Sequence, residues 1–260
     1  RICNVTTIEN VGHTRSDLYG MGVMTDTTWP SFSTWRTEIP NTNPSVPDGP
    51  GVTSSTGGGR IEAGRSHIAD LFGGARGRVL LTVSFGWFLG LGIRLTAPAL
   101  IPYIRQDFGL DLSIAGLLLS VLWITYAFFQ LPGGVIGDRI GERTILVASS
   151  SIGVIAVTAL GFAQTVPILS LGFVLLGVAT GIYATTRFTS IVDLYPEQAA
   201  TATGISSSAG NMGTVLLPAV AGTIAASLGW RLGFGMVAPL FGIAAIGLWV
   251  TVPSRTSGHD

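Results

Sequence analysis

The chain has 260 residues, with 14 Lys plus Arg set against 14 Asp plus Glu for a formal net charge of +0. Its mean hydropathy is +0.56 and only 11% of its residues are charged, about half the share usual in a soluble domain. That argues against a water-soluble globule, and a neutral chain without a basic surface is a poor fit for a nucleic-acid partner. A single cysteine, Cys3, leaves no intramolecular disulfide to form. With His13, His67 and His259 all outside the apolar runs, no metal site and no cofactor are implied.

Taken in chain order, residues 1–75 come first, rich in Thr, Ser, Gly, Pro and Asn around the stretch PNTNPSVPDGPGVTSSTGGGR. They show no sustained apolar period and cannot bury enough surface to offset chain entropy, so a disordered soluble tail is predicted. Asn4-Val5-Thr6 is a formal glycosylation acceptor, a triplet common by chance, in a tail expected to face the cytoplasm. Residues 1–30 hold no continuous apolar core of the kind a signal peptide needs.

From Val79 onward the sequence is almost uninterrupted apolar chain. Six stretches reach the roughly 20 residues that cross a hydrocarbon core as a helix. They are placed near 79–103, 113–136, 144–162, 167–192, 203–228 and 232–252. The predicted class is therefore an all-α membrane protein: a six-helix bundle over 76–254 between the tail and a short C-terminal segment, 255–260. Glycines throughout, and prolines at 98, 132, 218 and 239, suit membrane helices, whose neighbours satisfy the backbone groups that a proline frees. Arg76 and Arg78 precede the first span, Arg139 and Arg143 lie between the second and third, and Arg255 follows the sixth. Only Arg105 and Arg231 lie on the other side, so the bias puts both termini in the cytoplasm.

The turn after the second span, Gly134-Val135-Ile136-Gly137-Asp138-Arg139-Ile140-Gly141-Glu142-Arg143, combines glycines for close helix approach with charges that can meet a helix N-terminus or each other. It closely resembles the G-x-L-a-D-R-x-G-R-R/K loop of the major facilitator superfamily of secondary transporters. The resemblance implies a conformational latch made of Gly134, Asp138, Arg139, Gly141 and Arg143, with Asp138 as its acid. Glu142 stands where the family usually has a base, which implies a weaker latch. Three further stretches agree. Gly204, Gly213 and Leu217-Pro218-Ala219-Val220-Ala221-Gly222 resemble the family's span 5 signature G(x8)G(x3)GPxxGG, with two glycines replaced. Asp193-Leu194-Tyr195-Pro196-Glu197 resembles its acidic cytoplasmic turn, making Asp193 a partner for Arg139 or Arg143. Gly229-Trp230-Arg231 resembles its GWR turn. The intramembrane Arg of the family's span 4 motif is replaced by Phe173, so proton coupling through that Arg is not expected.

Arg94 is the strongest candidate for solute chemistry. It lies about 14 Å from the Tyr103 end of its span by helical rise, where a charge facing lipid costs at least about 2.5 kcal/mol. Followed by seven residues and Pro102-Tyr103, it resembles the span 1 pattern of organophosphate:phosphate antiporters and related organic-anion porters, in which that Arg holds the anion. A guanidinium suits the task because its forked donors meet phosphate or carboxylate bidentately. The other reading is an Arg that snorkels outward or pairs with another helix. Helical spacing adds stripes at Trp123, Tyr126 and Gln130, at Ser207, Asn211 and Thr214, and at Tyr183 and Arg187. In the family, spans 1, 2, 4 and 5 line the translocation path. Tyr126, Gln130, Tyr183 and Asn211 therefore join Arg94 as candidate ligand contacts, and Arg187, near a span end, reads as a gate or latch residue.

Family members usually carry two six-helix halves with the solute between them. This chain starts with Arg, not Met, and stops after six spans, so the expectation is the N-terminal half of a twelve-span transporter. Its partners would be the bilayer, a small anionic solute, and a second half or a second copy. The expected mechanism is alternating access in the cell membrane. The alternative is a truncated fragment or helper module without transport of its own. An intramembrane serine protease at Ser206 to Ser208 is disfavoured because no His lies in any span to act as base. An aquaporin-like channel would need an Asn-Pro-Ala pair, and none occurs.

Overall fold

The computed structural model describes residues 71–253. The chain divides into Arg1–Ser54 and Ser55–Asp260, and everything described belongs to the second unit. The tail predicted for 1–75 lies outside the described residues except for 71–75, as does the segment 255–260. All regular structure among the described residues is helical: α1 (Gly74–Phe108), α2 (Leu112–Ile140), α3 (Glu142–Gly161), α4 (Val166–Leu194), α5 (Ala199–Leu228), α6 (Trp230–Gly235) and α7 (Ala238–Thr251). With α6 and α7 counted together as Trp230–Thr251, six helices are long and apolar enough to cross a membrane.

The helix boundaries follow local chemistry. Asp111 caps α2 by accepting the Ile114 amide at 2.9 Å, the role expected of a short acidic side chain at that position. Gly109 closes α1 in the left-handed region at φ 63. The break between α2 and α3 falls on Gly141, at φ 92, a backbone angle that a side chain would strain. The sixth span is interrupted at Met236 and Val237 because Pro239, in the first turn of α7, has no amide to extend a helix through that point. At its other end α1 starts at Gly74, earlier than hydropathy places it. Leu71, just ahead, is buried and accepts a hydrogen bond from the Tyr195 hydroxyl at 2.8 Å. That bond ties the entrance of the bundle to the turn between α4 and α5.

The helices pack chiefly in the pairs α1 with α5, α2 with α4, and α3 with α4 and α7. Of the apolar stretch of α1, 67% is buried, against 17% for α2 and 22% for α5. α1 is thus the central helix, and α2 and α5 flank it with apolar side chains facing outward, among them Leu117, Ile124, Phe128, Met212, Val215 and Val220. In water such a surface would drive association; in a bilayer it meets lipid or other helices without cost. The α1–α5 contact is close because Gly213 lies against the Phe88 backbone, where a methyl group would collide with its carbonyl.

One end of the bundle is fastened by a charged knot. Arg231 pairs with Asp107 at 2.8 Å and donates through Nε to the Ala163 carbonyl at 2.8 Å. Trp230 Nε1 donates to the same Asp107 at 3.3 Å. The knot joins the end of α1, the α3–α4 connection and the start of α6, which explains why Gly229-Trp230-Arg231 stands where it does.

Two glycines of the α5 signature, Gly204 and Gly213, should respond oppositely to a methyl group. Gly213→Ala should destabilise by about 1–3 kcal/mol through collision with Phe88. Gly204→Ala, whose added carbon would have no neighbour within 4 Å, should gain up to about 1 kcal/mol of helix propensity. Thermal unfolding of both variants in detergent, followed by tryptophan fluorescence, checks the contrast.

A buried cationic and aromatic cluster as the candidate functional site

No Asp or Glu lies in the interior of any span: the acids between 71 and 253 are at 107, 111, 138, 142, 193 and 197. Two arginines nevertheless lie inside. Arg94 on α1 is 3% exposed, and its Nε and Nη1 have no hydrogen-bond partner. Its guanidinium rests on aromatic faces, with Cζ 3.6 Å from the Tyr126 ring centroid, 5.0 Å from that of Trp123 and 5.9 Å from that of Trp87. Trp123 and Tyr126 meet edge to face at 5.9 Å, so their α2 stripe forms one wall of an aromatic cradle. Ring faces attract a cation by about 0.5–2 kcal/mol each, less than a bidentate carboxylate or phosphate supplies. The cradle holds the guanidinium while leaving its Nε and Nη1 without a partner.

Arg187 on α4 is the second, read from the sequence as a gate or latch residue near the end of its span. It is 1% exposed. Its Nη1 donates to the Ser206 hydroxyl of α5 at 2.9 Å, and its Nε has no partner. Its Cζ lies 4.1 Å from the ring centroids of both Trp87 and Phe188. Trp87 therefore touches both cations. The signal for Trp87 was present in the sequence, since it precedes Arg94 by seven residues and so shares its helix face. Ser206 could be tied to Arg187 only by three-dimensional contact.

The remaining candidates are distributed around this cluster. Tyr183, one turn from Arg187, is buried and donates its hydroxyl to the Val83 carbonyl at 2.8 Å. Gly86 makes room for that ring, because a methyl group there would overlap the Tyr183 hydroxyl. Gln130 is half-buried, one turn beyond Tyr126 on α2. Asn211 is exposed and lines a groove on α5 with Ser208, Met212, Val215 and Leu216, a groove that Arg94 does not line.

At the α2–α3 turn the small residues and the charges take separate faces. Gly133 and Gly137 seat α2 against Ile182 and Thr186 of α4, while Gly134 has open space around it. Asp138, Glu142 and Asp193 line one cleft with Phe188, Thr189 and Val192. Arg139 is exposed, and Arg143 lies over the Trp249 ring at 4.2 Å. Phe188 links this cleft to the Arg187 guanidinium.

If the Tyr126 ring face holds Arg94, its removal should cost stability where loss of its hydroxyl does not. Tyr126→Leu should lower stability by about 1–2 kcal/mol, and Tyr126→Phe, which keeps the face, should stay within about 0.5 kcal/mol. Thermal unfolding in nanodiscs measures both.

Comparison with known proteins assigns the family. Over 162 residues the chain is 31% identical to the "Probable sulfoacetate transporter SauU" of Cupriavidus necator, an alignment covering 61% of this chain and 37% of the relative. It is 31% identical over 145 residues to the voltage-gated purine nucleotide uniporter SLC17A9 of Mus musculus, covering 53% of this chain and 32% of that protein. The chain thus spans about a third of the length of these curated relatives. In fold it resembles the proton:xylose symporter XylE bound to 6-bromo-6-deoxy-D-glucose, with a TM-score of 0.62 at 18% identity, over 68% of this chain and 45% of the symporter. The profile of the Major Facilitator Superfamily matches residues 82–260, and the chain, an integral membrane six-helix bundle, belongs to that superfamily.

Proposed function

We propose that this chain is the N-terminal half of a secondary transporter that moves a small organic anion by alternating access, with Arg94 holding the anion. The observation that carries this reading is the Arg94 guanidinium: buried at 3% exposure, with two nitrogens unpartnered, in a bundle whose spans contain no interior acid. A cation left uncompensated in a low-dielectric interior is costly, and a solute that brings the missing negative charge recovers that cost on binding. Sulfoacetate and purine nucleotides, named for two relatives, are both anions. Tyr126 positions the cation when the site is empty. Gln130, Tyr183 and Asn211 are proposed as lesser contacts or as supports of the path.

In this reading the exposed flanks of α2 and α5 face a second six-helix half or a second copy, and the solute binds between the halves. The α2–α3 turn acts as the latch: Gly134 and Gly141 shape it, Asp138, Arg139 and Arg143 carry its charges, and Asp193 completes the cleft. The protein resides in the cell membrane with both termini in the cytoplasm, supported by arginine at 76, 78, 139 and 143 against 105 and 231. Nothing in the arrangement calls for bond-making chemistry.

The test is equilibrium binding of radiolabelled sulfoacetate to the chain in nanodiscs, with neutral xylose as control. Saturable sulfoacetate binding, weakened at least about tenfold by Arg94→Ala as one lost charge-assisted contact implies, is expected. Binding that ignores the substitution, or that favours xylose, overturns the reading.

A further inference from the structure

Arg187 has the same predicament as Arg94 and is not used by the reading above. It is 1% exposed, its Nε is without a partner, and its one hydrogen bond goes to a neutral hydroxyl, Ser206. A hydroxyl can orient a guanidinium but cannot balance its charge. If Arg187 were only structural, a neutral residue would fill the space between α4 and α5 at lower cost, because removing a cation from water without a counter-charge is expensive.

The place of this second cation is informative. Trp87 presents its ring to both guanidiniums, with Cζ of Arg94 at 5.9 Å and Cζ of Arg187 at 4.1 Å. The two cations come from different helices, α1 and α4, and both are held on aromatic faces. Each therefore keeps donors free for a ligand. A monoanion could balance the charge of one of them only.

We infer that Arg187 is the second arm of the anion site, oriented by Ser206 and set against Trp87, and that the site selects dianions with one acidic head on each guanidinium. This rests on the reading that Arg94 binds an anion, and adds the charge number and shape of the solute. The heads are carboxylate, sulfonate or phosphate. A short spacer separates them, because the two guanidinium carbons lie 5.9 Å and 4.1 Å from the same Trp87 ring centroid. The indole of Trp87 has to turn aside as the ligand enters. It thereby exchanges two cation–π contacts for two ion pairs.

The experiment measures equilibrium binding of radiolabelled succinate, a dianion, and of radiolabelled propionate, its monoanionic counterpart, to the chain in neutral-lipid nanodiscs at a pH where every carboxyl is ionised. The native chain should bind succinate at least about tenfold more tightly than propionate, as one further charge-assisted pair provides. Arg187→Gln should bring that ratio close to one while propionate binding remains measurable, which also shows that the variant folds. Ser206→Ala, which keeps the charge but releases its orientation, should lower the ratio part of the way. A native ratio near one, or a ratio that survives Arg187→Gln, overturns the inference and leaves the anion reading intact. Failure of the native chain to bind either acid, with Arg94→Gln making no difference, instead overturns the anion reading beneath it.

Discussion

The structure is organised around a charge in a place that cannot solvate it. Arg94 and Arg187 lie in an apolar bundle without an interior carboxylate, and among the described residues they rest on the negative faces of aromatic rings, with the Ser206 hydroxyl added for Arg187. Three such rings, Trp87, Trp123 and Tyr126, are drawn from two helices onto one guanidinium. Ring faces are weaker partners than acids, and they leave N–H groups free. The arrangement is stable enough to fold and incomplete enough to bind.

The packing supports this balance. α1 is the most buried helix and carries both Arg94 and Trp87, so the cation sits on the element whose position is most tightly determined. Small residues let that happen: α5 approaches α1 at Gly213, and the Tyr183 ring crosses onto α1 at Gly86. α4 brings Arg187 to the other side of Trp87 and is itself fixed by α2 and α3. The flanking helices α2 and α5 contribute Tyr126 and Ser206 to the cluster, with Trp123 at its exposed rim, and their outer faces are apolar apart from short polar side chains such as Ser208 and Asn211 on α5.

Much of this was legible in the sequence, for physical reasons. Six runs of apolar residues of membrane-crossing length leave little choice of architecture, and six membrane-length helices are found. Arg94 stood out because a charge that deep in a span has to face inward, and its Tyr126 partner lay on a visible stripe. Other features could not be read. Arg187 is near the end of its span by residue count, which suggested a gate or latch, and its burial depends on α5 supplying Ser206 and α1 supplying Trp87. The start of α1 was read late because Gly74 to Arg78 are too polar and glycine-rich to register as span, yet Leu71 and Tyr195 hold the chain there. The single predicted sixth span is interrupted because Pro239 sits at a helix start, which average hydropathy does not register.

The knot of Asp107, Trp230 and Arg231 carries a consequence for how the bundle meets its surroundings. Its ion pair is more than a third exposed on each side, so dissolved salt screens it. The Arg231 bond to the Ala163 carbonyl and the contact of Trp230 with Phe108 at the end of α1 are of another kind, neutral at one or both partners and little affected by ionic strength. Concentrated brine would thus dim one strand of the fastening and leave the others taut. The chain ends of α1, α3 and α6 would stay gathered in media as different as fresh water and sea water.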